Sequence, residues 1–386
     1  MAKLGMPTIE IVFKEKGIAA IERSERGILA LLLEESEETI NQLLSDHMVE
    51  ETNVAAITNP FTVYTSDDIP SELSAENKDY ITKSLLGYVK APYRVKVYLQ
   101  KKDPEGTKTG LDRWTMLSDL AGDRWDYLAI PDIADDDLEA VGTWLKTNRD
   151  NKHKRSKVVL PNYRGDYEGI INFTNSKIVT QNKTYTTAQY TPRIAGLICG
   201  TPLTISATYA PLAQVLEVDK HTPDENDEKV NQGEFFIFWD GEKNKMSRAM
   251  NSLITTTQDK GEAYQTIKTV DIMDMMYDDI RNTIEDSYIG KYTNDYDNKC
   301  LLISAITGYL KELESGRLLQ KDESTVDINV EAVKNWRLSN GKNTQEELAD
   351  MSDLEIKKLD TKKNVFLKIN VVILDAMEDF SLEFTI

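Results

Sequence analysis

Six consecutive apolar residues near the start of the chain, Ile28 to Leu33 (ILALLL), lie between Arg26-Gly27 and Glu34-Glu35. A short unbroken run of this kind is the pattern of a strand buried on both faces. Such a strand needs cover above and below. From Ser74 onward the chain supplies it. SAENKDYITKSLLGY opens on Ser74, a good N-cap, and carries Ile81, Leu85 and Tyr88 at helical spacing. RVKVYLQ (Arg94 to Gln100) and WDYLAIPD (Trp125 to Asp132) read as strands, and DDLEAVGTWLKTN places Leu138, Val141 and Leu145 on one helical face. SKVVLPN and EGIINFTN add two further strands. Strand, helix, strand in this order predicts a mainly parallel sheet covered by helices, an α/β domain over residues 21–230. Glu34 to Pro70 is acidic and irregular and reads as a partly mobile insertion, although ETINQLLSDHM can form a short surface helix.

The second half has another character. GEFFIFWDGEKNKMSRAMNSL reads as a hairpin turning at Asp240-Gly241. Two amphipathic helices follow: one within Ile267 to Ile289 with Val270, Met273, Tyr277, Ile280 and Ile284 in phase, the other over Asp297 to Ser315 with Leu302, Ile306, Leu310 and Leu313. Gly316 sits where a C′ residue belongs. These helices predict a second core, in an α+β domain over 231–364. A polar stretch, Ser339 to Asn364, separates it from the closing strands VFLKINVVIL and FSLEFTI, residues 365–386. No internal repeat is visible.

Both ends of the chain have strand periodicity. In DFSLEFTI the residues Phe380, Leu382, Phe384 and Ile386 alternate with Ser381, Glu383 and Thr385. In TIEIVFKEKG, within residues 1–20, Ile9, Ile11 and Phe13 alternate with Glu10, Val12 and Lys14. An unpaired strand edge recruits other chains, so each end needs a partner. Periodicity alone favours pairing inside the subunit, for instance VFLKINVVIL and FSLEFTI as a hairpin around DAMED. The alternative is β-augmentation, with the arms of one subunit completing a sheet in a neighbour.

Catalytic and metal chemistry is sparse. The 46 Lys and Arg against 65 Asp and Glu give a net charge of -19, a field that repels phosphate backbones and anionic headgroups and argues against nucleic acid and membrane as partners. With 40% hydrophobic residues, two cysteines (Cys199 and Cys300), no signal-peptide pattern and no long apolar span, the chain reads as a soluble cytoplasmic product. His47, His153 and His221 all lie in polar, loop-like contexts, and the H-E-x-x-H, P-loop, G-x-S-x-G and G-x-G-x-x-G patterns are absent. Cys199 reads as a small buried thiol rather than a nucleophile. The acidic cluster DIADDDLE, with Asp132, Asp135, Asp136 and Asp137, reads as helix capping rather than a cation site. TNDYDNK lacks the glycine and closing glutamate of an EF-hand loop and reads as an N-terminal cap, and HTPDENDEK reads as a solvated acidic loop. Met273, Met275 and Met276 read as helix core. No catalytic residue, metal site or cofactor is assigned.

Five separated blocks, MAKLGMPTIEIVFKEKGIAAIERSERGILALLL, EGIINFTN, YTPRIAGLICGTPLTISATY, IGKYTNDYDNKCLLISAI and VFLKINVVILDAMEDFSLEFTI, together resemble the tail sheath proteins of contractile phages and of phage-tail-like bacteriocins of Gram-positive bacteria. The resemblance spans nearly the whole chain. It departs at residues 34–70 and at KKDPEGTKTG (Lys101 to Gly110), which look like enlarged surface loops. The resemblance implies a structural protein, not an enzyme: subunits in hexameric rings stack helically around an inner tube, and contraction drives that tube through a target envelope. It implies an α/β domain of subtilisin-like fold, for which this chain offers no Asp/His/Ser set. The implied partners are further copies of the chain, the inner tail tube protein, and the baseplate and tail terminator proteins. Synthesis in the host bacterial cytoplasm and assembly into a virion tail or tail-like particle follow from the same resemblance.

The resemblance also implies that the terminal arms cross to adjacent subunits and share a sheet. Thr8 to Lys14 and Asp379 to Ile386 then become linking strands, reversing the preference from periodicity, while Ser339 to Asn364 and the region after Lys14 become hinges. The tube would face the carboxyl-terminal domain, where exposed charges around Lys268, Lys291, Lys311 and Arg317 are the candidates for ionic contacts. Two other readings remain: a monomeric binding module with its end strands paired internally, and a hydrolase using Cys199.

Overall fold

Alternate residues of Ile28–Leu33 enter two different cores, as a strand covered on both faces requires. Leu29, Leu31 and Leu33 join one apolar layer, Ile28, Ala30 and Leu32 the opposite one, and all six are buried. The computed structural model describes residues 21–46, 48, 49, 54, 55 and 57–385. The chain divides into two compact units, Arg23–Asp278 with Ile373–Ile386, and Asp279–Val372 with Met1–Glu22, of which Ile21 and Glu22 are described.

The first unit is built on a seven-stranded sheet. Its strands in chain order are β1 (Ile28–Glu35), β2 (Phe61–Val63), β3 (Arg94–Lys101), β4 (Tyr127–Ala129), β5 (Lys157–Pro161), β6 (Ile170–Phe173) and β7 (Glu234–Phe235). In space they run β7-β6-β5-β4-β1-β3-β2, every pair parallel except β2 with β3 at the edge. The longer helices are α1 (Glu37–Asp46), α2 (Ala75–Leu85), α3 (Leu138–Asn151), α4 (Thr187–Cys199), α5 (Pro223–Asn231), α6 (Ile267–Ser287), α7 (Tyr296–Ser315) and α8 (Val330–Ser339). On one face Tyr80 and Ile81 of α2 and Tyr190, Ile194 and Leu197 of α4 pack on the sheet. On the other, Leu138, Val141 and Leu145 of α3 join Trp114 and Leu120. Each such aliphatic side chain contributes about 1.5–3 kcal/mol on burial, and this is what holds the layers together. α2 and α4 cross closely because Gly196 has no side chain: a Cβ there would stand 2.0 Å from the Ser84 carbonyl oxygen.

Charge fastens α6 to the starts of the parallel strands. Asp274, fully buried, receives a two-pronged contact from Arg149 at 3.0 Å and the Lys157 ammonium at 2.5 Å. Asp271 accepts from Lys157 at 2.9 Å and from the Tyr127 hydroxyl at 2.9 Å. Arg26 joins Asp278 at 2.9 Å to Asp126 at 3.0 Å, and Asp126 in turn accepts from the Gly27 and Ile28 amides opening β1. The apolar face expected of α6 is therefore partly replaced: Val270 and Met275 are buried, Met273, Tyr277, Ile280 and Ile284 only half so, and carboxylates occupy the gap.

Several other expectations change. Residues 34–70 are not simply an irregular insertion, since Phe61 and Val63 are buried in β2 and the Asn59 side chain brackets the Leu99 backbone at 2.7 and 2.9 Å. A three-residue strand is too short for periodicity to reveal. The predicted hairpin is shorter: Ile237–Trp239 (β8) pairs with Asn244–Met246 (β9), while Glu234 and Phe235 belong to the large sheet. HTPDENDEK is not a loop but the opening of α5, capped by Thr222, which accepts from the Glu225 amide. At the end of α7 it is Arg317, not Gly316, that takes the left-handed conformation, φ 57°.

In the second unit Leu302, Ile306, Leu310 and Leu313 of α7 are buried as their spacing predicts, and Tyr309 donates to the buried Asp279 carboxylate at 2.7 Å. Thr325–Ile328 (β10) and Leu367–Asn370 (β11) form a two-stranded antiparallel sheet. The polar stretch after α8 folds into two short helices, Gln345–Ala349 and Asp353–Lys357, each opened by a capping box. Ile356 enters the same apolar cluster as Ile328 and Val333, so the stretch is packed structure rather than a bare linker. The caps on Thr344 and Ser352 supply local order that the low apolar content conceals.

Candidate assembly interface

The sequence singles out the chain's ends. Ile9, Ile11, Phe13 and Ile386 lie outside the described residues. Residues 374–385 carry neither helix nor strand. The hairpin of VFLKINVVIL with FSLEFTI is therefore not formed: β11 pairs with β10 instead, in register Ile328 to Leu367 and Thr325 to Asn370. The alternation of STVDIN, with Val326 and Ile328 between polar residues, is the signal that reveals β10 and that the sequence reading missed. The apolar side of the terminal segment is left in water, with Phe380 70%, Leu382 75% and Phe384 84% exposed.

Among the described residues β10 and β11 each have one neighbour, so each presents an edge without a described partner. Val365, Ile369 and Val372, on or beside β11, are exposed apolar residues. Unpaired N–H and C=O groups beside exposed apolar side chains form a surface suited to an added strand.

The four basic candidates separate. Lys268 is not an exposed charge. It is 6% exposed, and its ammonium donates to the Leu374 carbonyl; burial lowers its pKa, with Asp375 and Glu378 opposing that effect. Its place in the first turn of α6, beneath the returning carboxyl-terminal segment, is the reason. Lys291, Lys311 and Arg317 are exposed, Lys311 on α7, Arg317 just beyond it, and Lys291 after α6 with its ammonium on the Asp286 carbonyl.

At the carboxyl ends of β1 and β4, where parallel sheets commonly hold ligands, there is a cleft lined by Glu34, Glu76, Lys102, Arg113 and Asp132. Its charges are largely spent on one another. Arg113 grips Glu34 at 2.9 and 3.0 Å and Asp137 at 3.0 Å, and Asp137 also accepts from Trp114 at 2.8 Å and the Gly110 amide at 2.6 Å. Asp137 is thus a buried tether rather than the helix cap expected for DIADDDLE. Burial, then the charges of Glu76 and Glu34, push Asp132 up to about 6. Asp295 does cap its helix, accepting from the Asn298 amide at 2.9 Å. Cys199 ends α4 as a buried thiol whose pKa burial pushes well up. Among the described residues no group of three or more His, Cys, Asp or Glu is arranged to hold a metal ion, and no helix is long and apolar enough to cross a membrane.

Comparison with known proteins agrees with an assembly role. The model of the phage tail sheath protein central domain matches residues 106–246, and that of the phage tail sheath C-terminal domain matches residues 259–386. The tail sheath protein of Clostridium phage phiCD119 is 35% identical over 379 residues, covering 98% of each chain. In fold, the chain is similar to a sheath tail protein from Desulfitobacterium hafniense, with TM-score 0.62 and 18% identity over 83% of this chain and 93% of that one. It is also similar to the sheath of an extracellular contractile injection system in the contracted state, with TM-score 0.63 and 10% identity over 99% and 98% of the two chains. The chain therefore belongs to the phage tail sheath family and is a structural sheath subunit, a component of a tail or tail-like particle.

Proposed function

We propose that this subunit polymerises helically around an inner tube, and that contraction of the polymer drives the tube through a target cell envelope. The carrying observation is the terminal segment: residues 380–385 expose Phe380, Leu382 and Phe384 and pair with nothing in their own subunit among the described residues. Residues 1–20 and 379–386 act as arms that add strands in neighbouring copies to the edges of β10 and β11, which have no partner among the described residues. Head-to-tail contacts of this sort do not close on themselves and so generate a helix of stacked rings. Each added strand contributes several backbone hydrogen bonds at about 0.5–1.5 kcal/mol apiece, so a junction survives while packed bodies rotate about it.

The remaining parts of the role follow. The inner tube protein is met through the exposed Lys291, Lys311 and Arg317, whose ionic contacts are weak enough to release. Baseplate and terminator proteins meet the ends of the polymer, and the subunit is made in the host bacterial cytoplasm before assembly. The role is mechanical rather than catalytic. The buried, protonated Cys199 suits packing better than nucleophilic attack.

Electron microscopy of the purified protein tests this reading. Hollow, striated cylinders are expected from the full chain and none from a chain lacking Phe380–Ile386. Normal cylinders from the shortened chain would refute the linking role.

A further inference from the structure

After Ile373 the chain returns to the first unit, and Leu374–Asp379 crosses its surface without helix or strand. Side chains nevertheless tie it down at four of its six positions. The buried Lys268 ammonium holds the Leu374 carbonyl, and the Thr269 hydroxyl donates to Asp375 at 2.9 Å. The Thr208 hydroxyl donates to Glu378 at 2.7 Å, and the Arg248 guanidinium reaches Glu378 at 3.4 Å and also Asp379. The holding groups stand on fixed structure: Lys268 and Thr269 are in the first turn of α6, and Thr208 itself accepts from the Ala249 amide at 2.9 Å.

These points, more than burial, hold the segment: none of its six residues is fully buried, and Leu374, Ala376 and Glu378 are half-buried. Met377, between the ties, is 86% exposed, and a cleft lined by Arg248, Gln265, Lys268, Asp375 and Phe380 runs beneath the segment. Past Asp379, among the described residues, no hydrogen bond or ion pair holds the chain to its own subunit.

We infer that Leu374–Asp379 is a strap whose side-chain ties fix where, and in which direction, the carboxyl-terminal strand leaves the subunit, with Arg248 as the outermost positioning residue. The pivot of the arm is then the Asp379–Phe380 bond, not the return of the chain at Ile373. This rests on the reading that residues 380–386 link neighbouring copies. Without the strap, six more residues would swing freely, and both the local concentration of the arm at its acceptor edge and its preorganisation would fall.

The test uses the full-length chain with Asp375→Ala, Glu378→Ala and Asp379→Ala combined, which removes the three side-chain ties from the strap side and leaves only the Lys268 contact with the Leu374 carbonyl. A nitroxide on Met377→Cys, in a Cys300→Ser background, reports strap motion, and sedimentation gives the concentration at which polymer appears. A nitroxide that is slow in the parent and fast in the triple variant is expected, with the assembly concentration raised on the order of tenfold, about 1.4 kcal/mol per junction. Arg248→Glu alone should reproduce both effects in part, and Arg248→Glu with Glu378→Arg should restore slow motion and assembly. An unchanged nitroxide spectrum, or a freed strap with unchanged assembly, would overturn the inference. Deleting Phe380–Ile386 separates the two ideas: normal assembly after that deletion sinks the linking reading, whereas the nitroxide result judges the strap alone.

Discussion

Lys157, the first residue of β5, places its ammonium 2.5 Å from the Asp274 carboxylate of α6, and both side chains are buried. Arg149 grips the same carboxylate from α3. Removing one member of a buried, hydrogen-bonded ion pair leaves the other charge uncompensated, so Asp274→Asn should destabilise the subunit by about 3–5 kcal/mol in urea unfolding at pH 7.

The same carboxylate makes part of the stability sensitive to acid. Burial alone would raise its pKa, but the Arg149 and Lys157 charges outweigh burial and hold it down to about 2. A depressed folded pKa means stability that is complete above the unfolded value, near 3.8, and is lost as pH falls through about 2. Unfolding free energies measured between pH 5 and pH 2 should show a drop of about 2 kcal/mol in the parent that is missing from Asp274→Asn.

Asp132 has the opposite sign. Its pKa is raised to about 6 by burial and by Glu76 and Glu34, with Lys102 and the Arg113 guanidinium also lining the cleft. A raised carboxyl pKa favours the fold while the group is protonated, and that advantage disappears as pH climbs from about 4 through about 6. Asp132→Asn should therefore raise the unfolding free energy at pH 7 by about 1–2 kcal/mol and change little at pH 4.

Gly196 and Gly308 give a matched pair. A methyl group at Gly196 would press on the Ser84 carbonyl, backbone that cannot step aside, and Gly196→Ala should cost about 3 kcal/mol. At Gly308, in the middle of α7 and exposed, a Cβ would meet nothing within 4 Å, so Gly308→Ala should stabilise by about 0.5–1 kcal/mol. Chemical denaturation of the two variants should give opposite shifts in midpoint.

Leu382→Asp and Phe384→Asp act on exposed side chains, so the melting temperature of the isolated subunit should stay within the equivalent of about 0.5 kcal/mol. Cylinder formation should nevertheless be lost. A large fall in melting temperature would mean that the segment packs on its own subunit after all.

Elements with a strong period were legible in the sequence. β1, α2, α3 and α7 lie where the apolar spacing put them, because burial on one or two faces leaves a repeating trace. What escaped the sequence reading depends on partners distant along the chain. β2 is three residues long and exists because β3 offers it an edge. Asp137 resembles a helix cap locally, but Arg113 and Trp114 draw it inward. Asp271 and Asp274 look like the wet side of an amphipathic helix until Lys157 and Arg149 arrive from 114 to 125 residues away. The terminal alternation reads as a strand, yet residues 379–385 form none in the subunit, because the period of a strand says nothing of the partner it needs. Lys268 seemed a surface charge because nothing local announces the segment that returns over it.

Residues 279–372 form an excursion, since the chain belongs to the same compact unit before and after them. The stretch beyond Ile373 is tied to Thr208, Arg248 and α6. A pull on the end of the polypeptide would therefore be taken up first by the seven-stranded sheet and its helices, through side chains rather than through backbone pairing.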